Sequence, residues 1–180
     1  AYIIWDTKSR QCFDSHLTTN CELSYGNVNC ENCYQTFFSA DCNDCREVIL
    51  SKECVGCNNL FGCFGLRNKS YYIFNQPYSK EEYKKKLQEF NIGSWKNFER
   101  LSQQAHSHWL QFPHKYMHGL HNMRSSGDYV YGSKNAQSCY RVHSSEDSKW
   151  LCNILAGPVK DCYDYASFGE GAELCYEALI

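Results

Sequence analysis

The chain has 180 residues, enough for one domain or two small ones, and its 18 basic and 20 acidic residues nearly cancel. This balance gives no strong signal for nucleic acid or an anionic membrane, and no apolar run approaches the roughly 18–20 residues of a membrane span. Thirteen cysteines and 16% aromatic residues must supply much of the buried surface. Because thirteen is odd and no signal peptide is visible, the composition favours reduced cysteines and a cytoplasmic location.

The first elements follow a twelve-residue period that runs from residue 18 to residue 77. Two columns of cysteine and one column of large apolar residues recur in phase with it. A fixed period of this kind is typical of stacked supersecondary units. The columns are Cys30, Cys42 and Cys54; Cys21, Cys33, Cys45 and Cys57; and Tyr25, Phe37, Ile49, Phe61 and Ile73.

Twelve residues are too few for two helices and their turns, but they suit one tight coil of two or three short strand segments. Asn, Asp and Gly lie near the cysteines, where corners are needed and where a left-handed backbone is tolerated. The period therefore predicts a mainly β fold, a right- or left-handed β-solenoid (β-helix). Its coils would have about twelve residues, with the cysteines and apolar columns stacked inside.

A helical pattern interrupts the repeat after residue 77. Ser79 and Glu82 form a capping box, and Gly93 is the expected stop of the first helix. Ser94 is the expected cap of a second helix, which Pro113 would end. We expect these two helices to form a short insert that caps or bridges the two arms of the solenoid. The alternative is a helical hairpin that binds a partner.

A looser repeat then resumes near residue 126, so the sequence predicts two solenoid arms joined by the helical insert. The predicted divisions are 1–77 for the cysteine-rich arm, 78–125 for the insert and 126–180 for the second arm. Both chain ends look cut from a longer repeat protein. The second arm contains the cysteines Cys139, Cys152, Cys162 and Cys175.

The paired cysteines leave three interpretations open. Structural packing explains the cysteine and apolar columns together. Disulfide bonds are expected instead if the cysteines are oxidised. Zinc is the sharpest functional alternative, because C-x2-C pairs offer the four thiolates of a tetrahedral site. The candidate zinc ligands are Cys30, Cys33, Cys42, Cys45, Cys54 and Cys57.

Other reactive side chains form no convincing constellation. Cys63 breaks the column register and would need a base such as His16 or His143 to act as a nucleophile. A histidine cluster lies at the end of the helical insert, and the spacing of His114, His118 and His121 could place ligands on one helical face. Pro113 and Gly119 argue against a helix there, so surface or packing histidines are favoured. The cluster is His106, His108, His114, His118 and His121. The acidic residues Asp161, Asp164, Glu170, Glu173 and Glu177 suggest a solvated face.

Several segments resemble one family, the cysteine-periodic hypothetical proteins of uncultured bacteria, especially those of the candidate phyla radiation. The resemblance lies in residues 54–75 and 78–83 and in the later segments 126–128, 133–135, 161–164 and 173–177. It implies a longer repeated solenoid and transfers no catalytic residue or activity.

These patterns predict a non-enzymatic structural or interaction scaffold that binds a protein or polymer partner along one solenoid face and needs no cofactor. Open solenoid ends would permit self-association. A zinc-binding module is the first alternative, and a β-helix that acts on or binds polysaccharide is the second.

Overall fold

A computed structural model describes the backbone of residues 4–133, 135, 139–143, 145–146, 152–154 and 159–160, and the side chains of residues 8–133 and 135. It divides into two compact units, residues 1–113 and 114–180, which are treated separately below. The predicted division at residues 77 and 125 stays a prediction. Cys162, Cys175 and the five acidic residues of the predicted solvated face lie outside the described residues.

The first unit is built from nine short strands followed by two helices. The strands are β1 (Ile4–Thr7), β2 (Arg10–Phe13), β3 (His16–Thr19), β4 (Glu22–Tyr25), β5 (Tyr34–Phe37), β6 (Arg46–Ile49), β7 (Asn58–Phe61), β8 (Ser70–Ile73) and β9 (Gln76–Pro77). The helices are α1 (Lys80–Phe90) and α2 (Trp95–Trp109). A seven-stranded sheet runs in the order β2-β4-β5-β6-β7-β8-β9, and only β9 pairs antiparallel. The prediction of a mainly β chain with two helices is confirmed.

Strand pairing repeats at a constant offset of twelve residues. Residue Arg46 pairs with Asn58, and Ile49 pairs with Phe61, in parallel register. Single bridges between the strands keep the same offset, as in Val28 with Ala40 and Glu31 with Asn43. In each repeat, backbone hydrogen bonds therefore join the chain to the next repeat at four places. The sequence predicts two or three strand segments per coil.

The backbone conformation explains why successive repeats are joined at four places. Every third residue from Lys8 to Phe74 has a positive φ, between +46° and +67°. A left-handed residue redirects the chain, so each repeat consists of four three-residue segments. This conformation costs a non-glycine residue about 1–2 kcal/mol. The hydrogen bonds between repeats offset that cost.

Every third residue from Cys12 to Cys63 is also buried, and this series contains each cysteine whose side chain is described. One of its columns carries hydrogen bonds in place of apolar contacts. The Asn27 N–H donates to Ser15 Oγ at 3.4 Å, and the Ser39 N–H donates to Asn27 Oδ1 at 3.1 Å. The Ser51 N–H then donates to Ser39 Oγ at 3.2 Å. Small side chains with an acceptor atom suit this column, because each one receives the N–H of the residue twelve positions later.

The two helices pack on an outer surface of the first unit. The predicted capping box of α1 is present, and Ser79 Oγ accepts from the Glu82 N–H at 3.2 Å. Helix α1 ends at Phe90, before the expected Gly93, because Asn91 adopts the left-handed conformation that ends the helix. Helix α2 ends at Trp109. Among the described residues, neither helix is long and apolar enough to span a membrane.

Gly62 permits a close approach between successive repeats. Its φ is +66°, and a Cβ built there would lie 2.5 Å from the Phe74 ring. We expect Gly62→Ala to lower the free energy of unfolding more than Gly65→Ala, since Gly65 has φ +67° and a Cβ built there would meet no atom within 4 Å. Both substitutions share the left-handed cost, so their difference, about 1–3 kcal/mol, measures the clash. Equal urea midpoints for the two variants would contradict this account.

Among the described residues of the second unit there are six short strands, and their pairings are parallel. They are β10 (Gly119–Leu120), β11 (Gly127–Tyr131), β12 (Cys139–His143), β13 (Ser145–Glu146), β14 (Cys152–Ile154) and β15 (Val159–Lys160). One sheet runs β10-β11-β12-β14, and β13 pairs with β15. The twelve-residue offset recurs between β11 and β12, where Val130 pairs with Val142, whereas β13 and β15 pair at an offset of fourteen, as in Ser145 with Val159.

Candidate binding surface

The predicted apolar column lies on a different surface from the cysteines. The cysteines pack in an inner cluster with Val48 and Leu60. Phe61 and Ile73 instead pack in an outer cluster with residues of α1 and α2. The outer apolar face is defined as Phe13, Tyr25, Phe37, Ile49, Phe61 and Ile73, which succeed one another in parallel register.

The helices cover only the C-terminal half of the outer apolar face. Phe61 is 0% exposed and its ring centroid lies 5.1 Å from that of Phe90 in α1. Phe13, on the same face, is 52% exposed, and Tyr25 is 39% exposed. The same column therefore passes from a packed core to an open apolar surface within one sheet.

A groove of about 380 Å³ opens where the covered half ends. One wall comes from the sheet and the other from the α1–α2 turn and the start of α2. Trp95, on the helical wall, is 72% exposed and stacks on Phe98 with ring centroids 5.9 Å apart. The apolar groove is lined by Phe37, Phe38, Ile49, Ile92, Gly93, Trp95 and Phe98.

Two larger hollows are lined by more charged and amide side chains than the apolar groove is. One, of about 620 Å³, runs along α2 beside Arg100 and Gln103, and the other, of about 720 Å³, lies between Arg10 and Arg46 on the sheet. Both are lined mainly by charged and amide side chains. Since burial of apolar surface is the main source of binding energy in pockets, the apolar groove is the stronger candidate.

The predicted zinc ligands lie in the inner cluster, where all of them are buried as free thiols. Each thiol faces backbone carbonyls: Cys33 Sγ lies 3.2 Å from the Glu31 oxygen and 3.5 Å from the Cys42 oxygen. Across the residues whose positions are described, no group of three or more His, Cys, Asp or Glu side chains is arranged to hold a metal ion. The zinc hypothesis stays a prediction.

Hydrogen bonds between neighbouring inner thiols raise the pKa of Cys33, Cys42 and Cys57 and lower the pKa of Cys30 and Cys45. Hydrogen bonds with neighbouring thiols, first that of Cys21, raise the pKa of Cys33. Burial raises the pKa of Cys63 to about 12. Because the thiolate is the nucleophile, a fully buried thiol with a raised pKa is a poor catalyst at neutral pH. The geometry disfavours Cys63 as the nucleophile considered from the sequence.

We expect iodoacetamide to leave the six predicted zinc ligands unmodified in the native protein and to alkylate them all in denaturant. The reason is that none of the six is more than 2% exposed. Peptide mapping by mass spectrometry reads each site separately. Cysteines that resist alkylation in denaturant without reductant would indicate disulfides. A stoichiometric zinc signal in elemental analysis would indicate a metal site. Either result would contradict packing as free thiols.

His118 contacts both Asp128 and Tyr129. Its Nδ1 lies 2.8 Å from Asp128 Oδ1, and its ring stacks on Tyr129 at 4.8 Å. Burial alone would raise the pKa of Asp128, but hydrogen bonds from the His118 N–H and ring outweigh it and lower the pKa. Residues 114–118 form no helix, and β10 follows directly. The absence of a helix agrees with the argument from Pro113 and Gly119 against a helical ligand face here.

The histidines of α2 serve packing. The His108 ring contacts the rings of Phe74 and Phe112, with centroids 5.7 Å and 5.0 Å away, and burial lowers the pKa of His108. His106 contacts Trp109 on the same helix. A neutral histidine between aromatic rings acts as a flat packing group.

The sequence did not reveal the apolar groove, because its walls come from segments more than forty residues apart. Exposed Trp95 at the start of a helix was the one signal that could have suggested it. No family model, curated protein or solved structure matches the chain. The geometry described above therefore carries the functional argument.

Proposed function

We propose that the chain is a non-enzymatic interaction scaffold of the β-solenoid type, which binds a protein partner on its outer apolar face. The observation that carries the proposal is the uncovered half of that face, where Phe13 is 52% exposed and Tyr25 is 39% exposed. The next residue of the same column, Phe37, lines the apolar groove together with Trp95. Contiguous exposed apolar surface of this kind marks interaction sites in proteins.

The solenoid part of the proposal is supported by the constant offset of twelve residues. Four hydrogen-bonded columns per repeat and one inward residue in every three would both follow from stacked coils. Duplicating residues 34–45 should insert one more coil and preserve cooperative unfolding. Duplicating residues 34–41 shifts the register by eight residues and should abolish it. If the two insertion variants unfold with equal cooperativity, the repeats are not stacked twelve-residue coils.

A protein partner is favoured over polysaccharide by the chemistry of the apolar groove. None of its lining side chains, apart from the Trp95 indole N–H, carries a hydrogen-bonding group. Sugar hydroxyls buried there would lack partners, at about 1–3 kcal/mol for each group. Leu, Ile and aromatic side chains of a protein bring no such penalty.

Site-specific photo-crosslinking tests the proposal. A benzophenone side chain placed at Phe13 or Trp95 should crosslink to a defined protein in the native cells. The same group at Asn32 or Asp44, exposed positions whose side chains bond to each other at 3.0 Å, serves as the control. Adducts that form equally from all four positions, or from none, would count against a binding role of the apolar face.

A further inference from the structure

We infer that the segment bound on the outer apolar face is an amphipathic α-helix of the partner. It lies over Phe13, Tyr25 and Phe37, with Trp95 against its flank. This inference rests on the proposed function and names the kind of partner that the surface fits. The uncovered surface continues an interface that already binds helices, and its spacing matches a helix.

The packing of α2 shows how this face accepts a helix. The Phe98 ring lies 4.7 Å from the Phe38 ring, and the His108 ring lies 5.7 Å from the Phe74 ring. Phe38 and Phe74 are three repeats apart, which is roughly 14 Å at a strand spacing of about 4.8 Å. The ten positions from Phe98 to His108 span about 15 Å of helix. The two lengths agree, so helix α2 follows the direction in which the repeats succeed one another.

The agreement has a simple physical basis. One turn of α-helix rises about 5.4 Å, close to the roughly 4.8 Å between successive repeats. Helix residues at positions i, i+3 or i+4, and i+7 can therefore meet successive repeats. Phe98, Leu101 and Ala105 have this spacing in α2, and all three pack in the outer cluster. Side chains on one face of an extended strand recur every 6.6 Å or so, which does not match the repeats. The spacing favours a helix over an extended peptide.

The uncovered half carries the same pattern further along the sheet. Phe13 pairs with Tyr25, and Tyr25 pairs with Phe37, in the register of the covered residues. Phe38 connects the two halves, because its ring lies 5.1 Å from Tyr25 and 4.7 Å from Phe98. A further helix would thus extend the existing helical layer without a break in aromatic contact.

Selection from a display library tests the inference without presupposing a partner. Random sixteen-residue peptides are selected on the full protein and then counter-selected on the double variant Tyr25→Ser, Trp95→Ala. Surviving peptides should carry aromatic or aliphatic residues at i, i+3 or i+4, and i+7. They should gain helical circular dichroism on binding, and their Kd should rise at least tenfold on the double variant.

The matched control is the double variant Tyr34→Ser, Leu110→Ala, which removes one aromatic and one apolar side chain elsewhere on β5 and after α2. It should change the Kd less than twofold. Groove-dependent peptides that are extended or proline-rich would overturn the helical inference and leave the proposed function standing. Absence of any groove-dependent peptide would overturn the helical inference, while the crosslinking experiment would judge the proposed function separately.

Discussion

Replacing Phe61 with alanine is expected to lower the free energy of unfolding of the first unit by about 3–5 kcal/mol. Phe61 is fully buried, and its ring contacts Phe74 at 5.9 Å and Phe90 at 5.1 Å. The substitution removes the side chain that packs β7 against α1. Urea unfolding measures the loss, and hydrogen exchange should show that the amides of α1 lose protection.

Phe13→Ala is the control, because Phe13 lies in the same column four repeats before Phe61 and is 52% exposed. It should cost less than about 1 kcal/mol, as expected for a surface substitution. If both variants lose a similar free energy of unfolding, the helices do not stabilise one half of the outer apolar face more than the other. The apolar groove would then lose its structural basis.

Asn27→Ala is expected to destabilise the first unit by roughly 2–4 kcal/mol, although it changes a single polar side chain. The Asn27 amide is fully buried, and its Nδ2 donates to the Thr36 carbonyl at 2.8 Å. Its Oδ1 accepts from the Ser39 N–H at 3.1 Å. Alanine would leave both backbone groups without these bonds, and water cannot reach them. The midpoint of urea unfolding measures the effect.

Asn27→Ser keeps the hydrogen bond accepted from the Ser39 N–H and removes the one donated to the Thr36 carbonyl. Serine occupies the same column at Ser15, Ser39 and Ser51, where its hydroxyl accepts the N–H of the residue twelve positions later. The serine variant should therefore recover about half of the loss. If alanine and serine prove equally destabilising, the inner hydrogen-bonded column is not the source of stability at this position.

Much of the local structure was predictable from the sequence. The twelve-residue period appears directly as strand pairing, since Cys33, Cys45 and Cys57 recur at the offset that joins β5, β6 and β7. The capping box at Ser79 marked the start of α1 correctly. Period and caps depend on residues close together in sequence, so a linear reading detects them.

The three-residue subdivision of the repeat was hidden. Inward residues recur every third position, but successive ones differ in chemistry: Thr36 and Ser39 are followed by Cys42 and Cys45. A search for the period of one residue type, such as cysteine, detects only the twelve-residue interval at which that type recurs. The left-handed residues were hidden for the same reason, since Gln35, Phe38 and Glu47 adopt this conformation beside the expected Asn and Gly.

The sequence by itself determined the repeat length, the burial of the cysteines and the start of the helical segment. Only the tertiary structure decided that Tyr25, Phe37 and Phe61 face outward, that two helices cover Phe61, and that Tyr25 is left partly open. The physical reason lies in what each feature depends on. Period and side-chain size are properties of neighbouring positions. The side of the sheet that receives a helix depends instead on where α1 and α2, which begin 19 and 34 residues after Phe61, come to lie.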